Sequence, residues 1–254
     1  MEGLEQVQAD KKSLLLVVTP YFLGLPLLTV LHARGEIGSF PAILLATLLM
    51  NLSFTAWHEA AHGTLWRSAR LNALVGILAS LLSLYPGWFA RRREHLAHHR
   101  YEGDPERDPV WARVQTGFWG FLPRLALLLL RRHDPIPPDF LPITRAQRRI
   151  DRITVAGALM AMAAMAESGL TESALFVWVL PRAAVFVLHA VWICWLPHAV
   201  ANPPGFQVYR VRDDGVLGRF FLLGQDLHGI HHRWPEVPWH RYGAMTGAFR
   251  REAP

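Results

Sequence analysis

Eight of the thirteen histidines in this chain stand in three short clusters. Within each cluster the histidines are one, three or four residues apart, and on an α-helix positions three or four residues apart share one face. Neutral imidazole is the commonest nitrogen ligand of iron, zinc and copper in proteins. The clusters are His58 with His62, then His95, His98 and His99, and last His228, His231 and His232. This pattern predicts a metal site with many histidine ligands.

The number of candidate ligands indicates two ions rather than one. His198 adds a ninth candidate at the end of an apolar stretch. Four ligands complete a structural zinc site and three suffice for a catalytic one, so eight or nine imidazoles are about right for a pair of ions. A nitrogen shell without thiolates suits iron, copper or zinc, and not calcium or magnesium. The residues alone leave the choice among those three metals open.

Acidic residues near the clusters are candidates for orienting the imidazoles. We expect Glu59 and Asp226 to accept an imidazole N–H and so to set which ring nitrogen faces the metal. Asp104 and Asp108 also lie near a cluster, but turn and capping contacts explain these two at least as well. No role is predicted for the histidines that lack ligand spacing, which are His32, His133 and His240.

Two other functions compete with this prediction. His58-Glu59-Ala60-Ala61-His62 matches H-E-x-x-H, the signature of zinc metalloproteases in which the glutamate is the general base. An intramembrane protease would need one further ligand and would leave the other two clusters unexplained. A metal transporter is the third hypothesis, and it would need ligands along a path that crosses the bilayer.

Composition indicates an integral membrane protein. Apolar residues make up 52% of the 254 residues and charged residues 18%, while the net charge is +6. Cys194 is the only cysteine, which excludes an intramolecular disulfide framework. The first apolar run is longer than a signal-peptide core and is interpreted as a retained membrane helix. No repeat or flexible linker is evident, so we predict a single membrane domain over residues 1–254.

Four apolar runs are long enough to cross a bilayer, and two more are ambiguous. The short turns at 35–39 and 167–172 contain no Lys or Arg, so the positive-inside rule places them outside and the basic segments in the cytoplasm. The two ambiguous runs have basic residues near their ends and are expected to lie in the interface. The predicted spans are about 13–31, 40–57, 152–167 and 173–196, and the interfacial segments are 71–90 and 116–130. The predicted fold is therefore all-α, with four transmembrane helices in two hairpins, interfacial helices and a cytoplasmic histidine-rich cap.

Arginines next to the second cluster suggest partners at the membrane surface. Arg91–Arg93 and Arg100 would either steer an acidic electron-transfer protein or hold anionic lipid head groups, of which lipid is the safer interpretation. Nucleic acid is not expected as a partner, because the basic residues lie beside the membrane segments.

The three histidine boxes, in this order and on this hydropathy profile, resemble the membrane fatty acid desaturase superfamily, which includes membrane hydroxylases and bacterial carotenoid ketolases. WHEAAHGTLWRSARLN resembles the first box of bacterial desaturases, HLAHHRYEGDPERDP the second box, and HGIHHRWPEVPWHRY the third. The segment LPRAAVFVLHAVWICWLPHA is similar to the last span of carotenoid ketolases. The resemblance covers most of the chain.

The resemblance implies a di-iron centre held by the histidines of the three boxes and by His198. It also implies the use of O2 and of two electrons from a ferredoxin or a cytochrome b5 type donor. The substrate would be a long-chain lipid, either fatty acyl or carotenoid, attacked at an unactivated C–H bond by desaturation, hydroxylation or ketone formation. The expected location is a bacterial inner membrane with the metal site on the cytoplasmic side.

Overall fold

A computed structural model describes residues 9–85, 87–114, 119–121, 123, 136–199 and 221–252. Within these residues the regular structure is helical, apart from an isolated β-bridge between Ala9 and Trp66. The long helices are α1 (Lys11–Ala33), α2 (Ser39–His62), α3 (Ala69–Leu82), α4 (Trp88–Tyr101), α5 (Arg145–Glu167) and α6 (Thr171–His198). After them come a single 3-10 turn (Gln225–Leu227), α7 (His228–Arg233), a second turn (Trp239–Arg241) and α8 (Tyr242–Glu252), and a four-residue helix (Trp111–Val114) follows α4. The interfacial segment predicted at 116–130 lies outside the described residues except at 119–121 and 123.

Helices α1, α2 and α6 are each long and apolar enough to cross a membrane. The protein is therefore an all-helical membrane protein. The predicted span 152–167 lies within α5, whose 23 residues begin with a strongly basic first third. This fourth crossing stays a prediction.

Two compact units make up the chain, the first comprising Met1–Ala90 and Thr144–Val187 and the second comprising Arg91–Ile143 and Leu188–Pro254. The first unit contains the first predicted hairpin and the second one as far as Val187 of α6. The turn between α1 and α2 passes through Gly35 at φ +71°, and the turn between α5 and α6 passes through Gly169 at φ +77°. Both angles lie in the left-handed region, which glycine adopts without a steric penalty.

His32 joins the two hairpin turns within the first unit. One ring nitrogen, Nδ1, lies 2.8 Å from the hydroxyl of Ser173 at the start of α6, and Nε2 lies 3.2 Å from that of Ser39 at the start of α2. Both ring nitrogens are occupied and the side chain is buried. The contacts place the two turns at the same end of the unit and give His32 a structural role.

Helix α2 ends at His62, the second residue of the first histidine cluster. Gly63 adopts φ +77°, its N–H binds the carbonyl of Ala60, and the N–H of Thr64 binds the carbonyl of Glu59. This left-handed glycine stop satisfies the last carbonyls of the helix. His58 and His62 therefore lie in the final turn.

Helix α3 covers the first part of the segment predicted as interfacial at 71–90. Its 14 residues span about 21 Å, which is shorter than the hydrocarbon core of about 30 Å. The helix ends before Leu84, which has φ +53°, and α4 begins separately at Trp88. The Trp88 ring packs edge-on to Trp57 and so close to Gly76 that a Cβ there would overlap it.

Asp151 of α5 caps the helix that carries the second histidine cluster. Its carboxylate accepts the backbone N–H of Phe89 at 2.9 Å and of Ala90 at 3.0 Å, and the side chain is 8% exposed. The first N–H groups of a helix have no partner within it, and a carboxylate also interacts favourably with the helix dipole. Gly87 is required beside it, because a Cβ would overlap the Asp151 side chain.

Replacing Asp151 with alanine should leave the N–H groups of Phe89 and Ala90, at the start of α4, without the carboxylate that accepts them. We expect a loss of about 1–3 kcal/mol in the free energy of unfolding, measured by thermal denaturation in detergent. Arg152→Ala, at the neighbouring exposed position, is the control. Equal melting temperatures for the two variants would contradict this role.

The second unit has a small hydrophobic core beneath the third histidine cluster. Its buried members come from the 3-10 turn, α7, the following loop and α8. They are Leu227, Ile230, Val237, Tyr242 and Phe249.

Arg93 makes hydrogen bonds within the same unit. Its guanidinium donates to the carbonyls of Ile136, Pro137 and Phe140. Among the arginines considered for surface contacts, Arg93 thus has a structural partner.

Candidate metal centre

The first cluster lies in the first unit, where His58 is buried and His62 is half-buried. His58 is fully buried, its ring stacks on Phe54, and its centroid lies 4.9 Å from that of His62. Glu59 is 1% exposed and places Oε1 3.5 Å from Nδ1 of His58, while its Oε2 accepts the Thr64 hydroxyl at 2.7 Å. Glu59 therefore lies beside His58, and Thr64 orients its carboxylate; its role behind a metal ligand stays a prediction.

The second unit brings histidines from distant parts of the chain into contact. The donor nitrogens of His98, His198 and His232 all lie within 4.8 Å of one another. The Nε2 atoms of His98 and His198 are 2.9 Å apart although the residues are separated by 100 positions. These three side chains come from α4, α6 and α7.

Each of these three imidazoles has an acceptor on its other ring nitrogen. His98 Nδ1 lies 2.9 Å from a carboxylate oxygen of Asp108, and His232 Nδ1 lies 3.0 Å from Glu102. His198 Nδ1 lies 2.6 Å from the backbone carbonyl of Cys194. A carbonyl oxygen can only accept, so Nδ1 of His198 carries a hydrogen.

The hydrogen-bond acceptors at Nδ1 determine that Nε2 of each imidazole faces the other histidines. The Asp108 carboxylate also accepts the backbone N–H of Gly103 and of Val110, so it is held as an acceptor for Nδ1–H of His98. With hydrogen on Nδ1, a neutral imidazole presents a bare lone pair at Nε2. The Nε2 lone pairs of His98 and His198 therefore face each other at 2.9 Å. Two lone pairs repel at that distance unless a cation lies between or beside them.

Protonation of the cluster would be an unfavourable alternative. Burial and the neighbouring imidazoles of His99, His228, His98 and His198 lower the pKa of His232. Burial, together with the nearby charge of Asp108, raises the pKa of Glu102 to about 8. A metal cation would reverse the second shift, because it favours an ionised carboxylate behind the imidazole that binds it.

The remaining histidines of the second unit pair in the same way. His99 and His231 place their Nε2 atoms 2.9 Å apart, and His228 and His232 place theirs 3.0 Å apart. The ring of His95 lies 4.7 Å from that of His99 and is parallel to that of His231 at 6.0 Å, both measured between centroids. All seven candidate ligands of this unit thus form one group.

The contacts of the acidic residues near the clusters differ from those expected from the sequence. For Asp108 the sequence offered turn and capping contacts as an alternative to orienting an imidazole. Its carboxylate makes both kinds of contact, since it lies beside His98 and also caps the turn. Asp104 caps a loop through the N–H groups of Glu106 and Arg107, and these contacts and the Arg107 guanidinium lower its pKa. Asp226 is buried in the 3-10 turn before His228, and its predicted contact with an imidazole stays a prediction.

Sequence reasoning missed two partners of the third cluster. Glu102, which contacts His232, stands four residues after His98 and could have been found from that helical spacing. Tyr242 is fully buried, and its hydroxyl lies 3.0 Å from Nδ1 of His231. No local signal identifies Tyr242, because it belongs to the next helix.

Tyr242→Phe should weaken metal binding without disturbing the core, since the ring remains in place. Loss of the hydroxyl removes the hydrogen bond that orients His231 through Nδ1, and we expect metal affinity to fall about tenfold. Competition titration with a chelator measures it. The control is Tyr101→Phe, the same change in a ring that packs edge-on against Phe140, which should leave the affinity unchanged.

Comparison with known proteins identifies the family of the chain. A family model of fatty acid desaturases matches residues 37–254. The chain belongs to the fatty acid desaturase family. The resemblance seen in the three boxes is confirmed.

The relatives of this desaturase-family protein include ketolases and desaturases. It is 31% identical over 196 residues to a zeaxanthin 4-ketolase of Chlamydomonas reinhardtii, covering 73% of this chain and 39% of the relative. A beta-carotene 4-ketolase 3 of Haematococcus lacustris is 28% identical over 198 residues, covering 73% of this chain and 55% of the relative. A dihydrorhizobitoxine desaturase of Bradyrhizobium elkanii is 39% identical over 69 residues, which is 27% of this chain and 20% of the relative. This chain thus spans between 20% and 55% of the length of these relatives, and no solved structure matches it significantly.

The donor set fits the metal that the family implies. Neutral imidazole nitrogens converge, carboxylates and a carbonyl hold their outer nitrogens, and Cys194 contributes its carbonyl oxygen to this arrangement. Such a set suits iron, and it carries the outer hydrogen bonds that metal-binding histidines normally make.

Proposed function

We propose that this protein is a membrane di-iron, O2-dependent oxidoreductase that acts on an unactivated C–H bond of a long-chain lipid. The observation that carries the proposal is the pair of Nε2 lone pairs of His98 and His198 that face each other at 2.9 Å, each with its Nδ1 hydrogen already bound. Family membership supports iron as the cation.

The proposed ligands are the nine histidines of the boxes and the last span. Seven belong to the group described in the second unit, and His58 and His62 enter the proposal through the first box of the family pattern. The full set is His58, His62, His95, His98, His99, His198, His228, His231 and His232, with Glu59, Asp108, Glu102, Tyr242 and Asp226 as the residues behind them. When bound, two irons would supply the oxidant that removes hydrogen from a methylene.

The side chains of this protein would contribute orientation and exclusion of water. His58, His198 and His231 are 0–2% exposed, so the ligands lie in a poorly hydrated interior. Asp108 and the Cys194 carbonyl hold their imidazoles through Nδ1–H and keep Nε2 free for the metal. A dry site protects a strong oxidant from side reactions with water.

Within the superfamily, we propose a carotenoid substrate oxidised to a ketone or an alcohol. The similarity to the two ketolases extends over 73% of this chain, whereas the similarity to the Bradyrhizobium desaturase covers 27%. A fatty acyl desaturase is the second candidate, favoured by the family model. The proposal includes four spans with the site facing the cytoplasm of a bacterial cell, and a ferredoxin or cytochrome b5 type electron donor.

Family membership disfavours the protease hypothesis, and so does Glu59. Both of its carboxylate oxygens are directed to Thr64 and His58 rather than left for a water molecule. The transporter hypothesis has no support among the described residues, where the seven histidines of the second unit form one group and not a path.

Expression in cells that make β-carotene, and separately in ordinary cells, tests the function. We expect new oxygenated carotenoids in the first host when iron and a reductant are present, measured by liquid chromatography with mass spectrometry. His98→Ala is the matched inactive control. New unsaturated fatty acids in either host would instead support the desaturase candidate, and unchanged profiles in both would refute the proposal.

A further inference from the structure

Gln225 lies three residues before His228, the first residue of the third histidine cluster. It is the first residue of the 3-10 turn Gln225–Leu227, which leads directly into α7 at His228. Leu223 at φ +51° and Gly224 at φ +77° turn the chain sharply just before it. A Cβ at Gly224 would lie 2.9 Å from the carbonyl oxygen of Trp239, so the turn is closely packed. Strained backbone of this kind is concentrated at functional sites.

The carboxamide of Gln225 is buried without a partner among the described residues. The side chain is 2% exposed, and neither Nε2 nor Oε1 makes a hydrogen bond there. An amide buried in this way is costly, and native proteins nearly always satisfy such groups. We therefore expect the Gln225 carboxamide to bind a polar partner.

The register of the turn relates Gln225 to the metal ligands. In a 3-10 helix positions i and i+3 are eclipsed, so Gln225 and His228 lie on the same side of the chain. His228 places its Nε2 3.0 Å from that of His232. The turn also packs against the segment Ala190–Trp195 of α6, which precedes His198. The turn that contains Gln225 thus contacts the helix of His198 and leads directly into the helix of the third cluster.

We propose that the Gln225 carboxamide binds a small oxygen or nitrogen ligand of the metal centre, such as water or a dioxygen-sized anion, by hydrogen bonding. The amide N–H would donate to the ligand, and Oε1 would accept from it when it carries hydrogen. This inference rests on the proposed function, since it requires a metal at the histidine group.

Azide binding to the iron-loaded full-length protein tests the inference, because azide is a small anion that binds ferric iron and gives a charge-transfer absorption band. Gln225→Met keeps the length of the side chain and removes both polar atoms. We expect its azide affinity to be about three- to tenfold weaker, which corresponds to one hydrogen bond, with an unchanged iron content. Gln225→Glu, which lacks the donor, should weaken azide at least as much.

Ser53→Ala is the control, because Ser53 is also buried and its hydroxyl has no hydrogen-bond partner among the described residues. It should leave azide affinity unchanged. An azide affinity of Gln225→Met within twofold of the unmodified protein overturns the inference, and so does loss of iron from both Gln225 variants. Absence of iron from the unmodified protein would instead refute the proposed function, so the two failures are distinguishable.

Discussion

Replacement of His98 with alanine is expected to abolish lipid oxidation and to remove at least one iron per molecule. His98 lies at the centre of the described group, with His198 at 2.9 Å between Nε2 atoms and the ring of His232 at 4.9 Å between centroids. Its loss removes a donor nitrogen and also leaves the buried Asp108 carboxylate without the imidazole that it orients. Removing one member of a buried charged network is strongly destabilising.

Iron per protein, measured by mass spectrometry of the metal, and product formation in the carotenoid-producing host are the two measurements for His98→Ala. The control is His240→Ala, because His240 lies outside the ligand spacing and contacts the ring of Trp239 instead. Full iron content and normal product in His98→Ala would exclude His98 as a ligand. A loss seen equally in His240→Ala would show that the effect is general misfolding.

Asp108→Asn is expected to lower iron affinity about 10- to 100-fold, the range found for groups that hold metal-binding histidines. The carboxylate has three donors: Nδ1–H of His98 and the N–H groups of Gly103 and Val110. His98 and Val110 share one carboxylate oxygen and Gly103 uses the other, so the NH2 group of an asparagine would face either Gly103 alone or both His98 and Val110. In the second orientation the His98 ring shifts to the tautomer with hydrogen on Nε2 and loses its metal-binding nitrogen, and in either orientation the imidazole loses the negative charge behind it.

Asp104→Asn is the matched control for Asp108→Asn. It is the same substitution four residues earlier, in a carboxylate that caps a loop through Glu106 and Arg107 and pairs with the Arg107 guanidinium. We expect a small change in thermal stability and an unchanged iron affinity, measured by chelator competition. Equal effects of the two substitutions would assign Asp108 to the loop alone.

The histidine pattern could be interpreted from sequence because its information is local. A helical period of 3.6 residues and the chemistry of imidazole are enough to identify three faces of ligands. Three of the four spans were also predictable, since apolar run length determines them, and α1, α2 and α6 agree with the expected spans. The prediction of one continuous segment at 71–90 was less accurate, because the helix ends at Leu82 and a new helix begins at Trp88. This break depends on how Trp88 packs against Gly76.

The residues behind the ligands were harder to predict. Asp108 and Asp104 look alike in sequence, and only packing shows that one contacts His98 while the other caps a loop. Tyr242 reaches His231 from a separate helix, and the Cys194 carbonyl is a backbone atom that no residue pattern marks. Gln225 gave no signal at all, since its burial follows from the turn at Gly224.

The amino-acid sequence by itself determined the candidate ligands, the apolar helices and the family, because spacing and hydropathy act over one helix at a time. Only the tertiary structure decided which imidazole nitrogen faces inward and which group accepts the hydrogen of the other. That choice depends on contacts such as His98 with His198, which join positions 100 residues apart. Such contacts arise from packing between helices, and no local pattern encodes them.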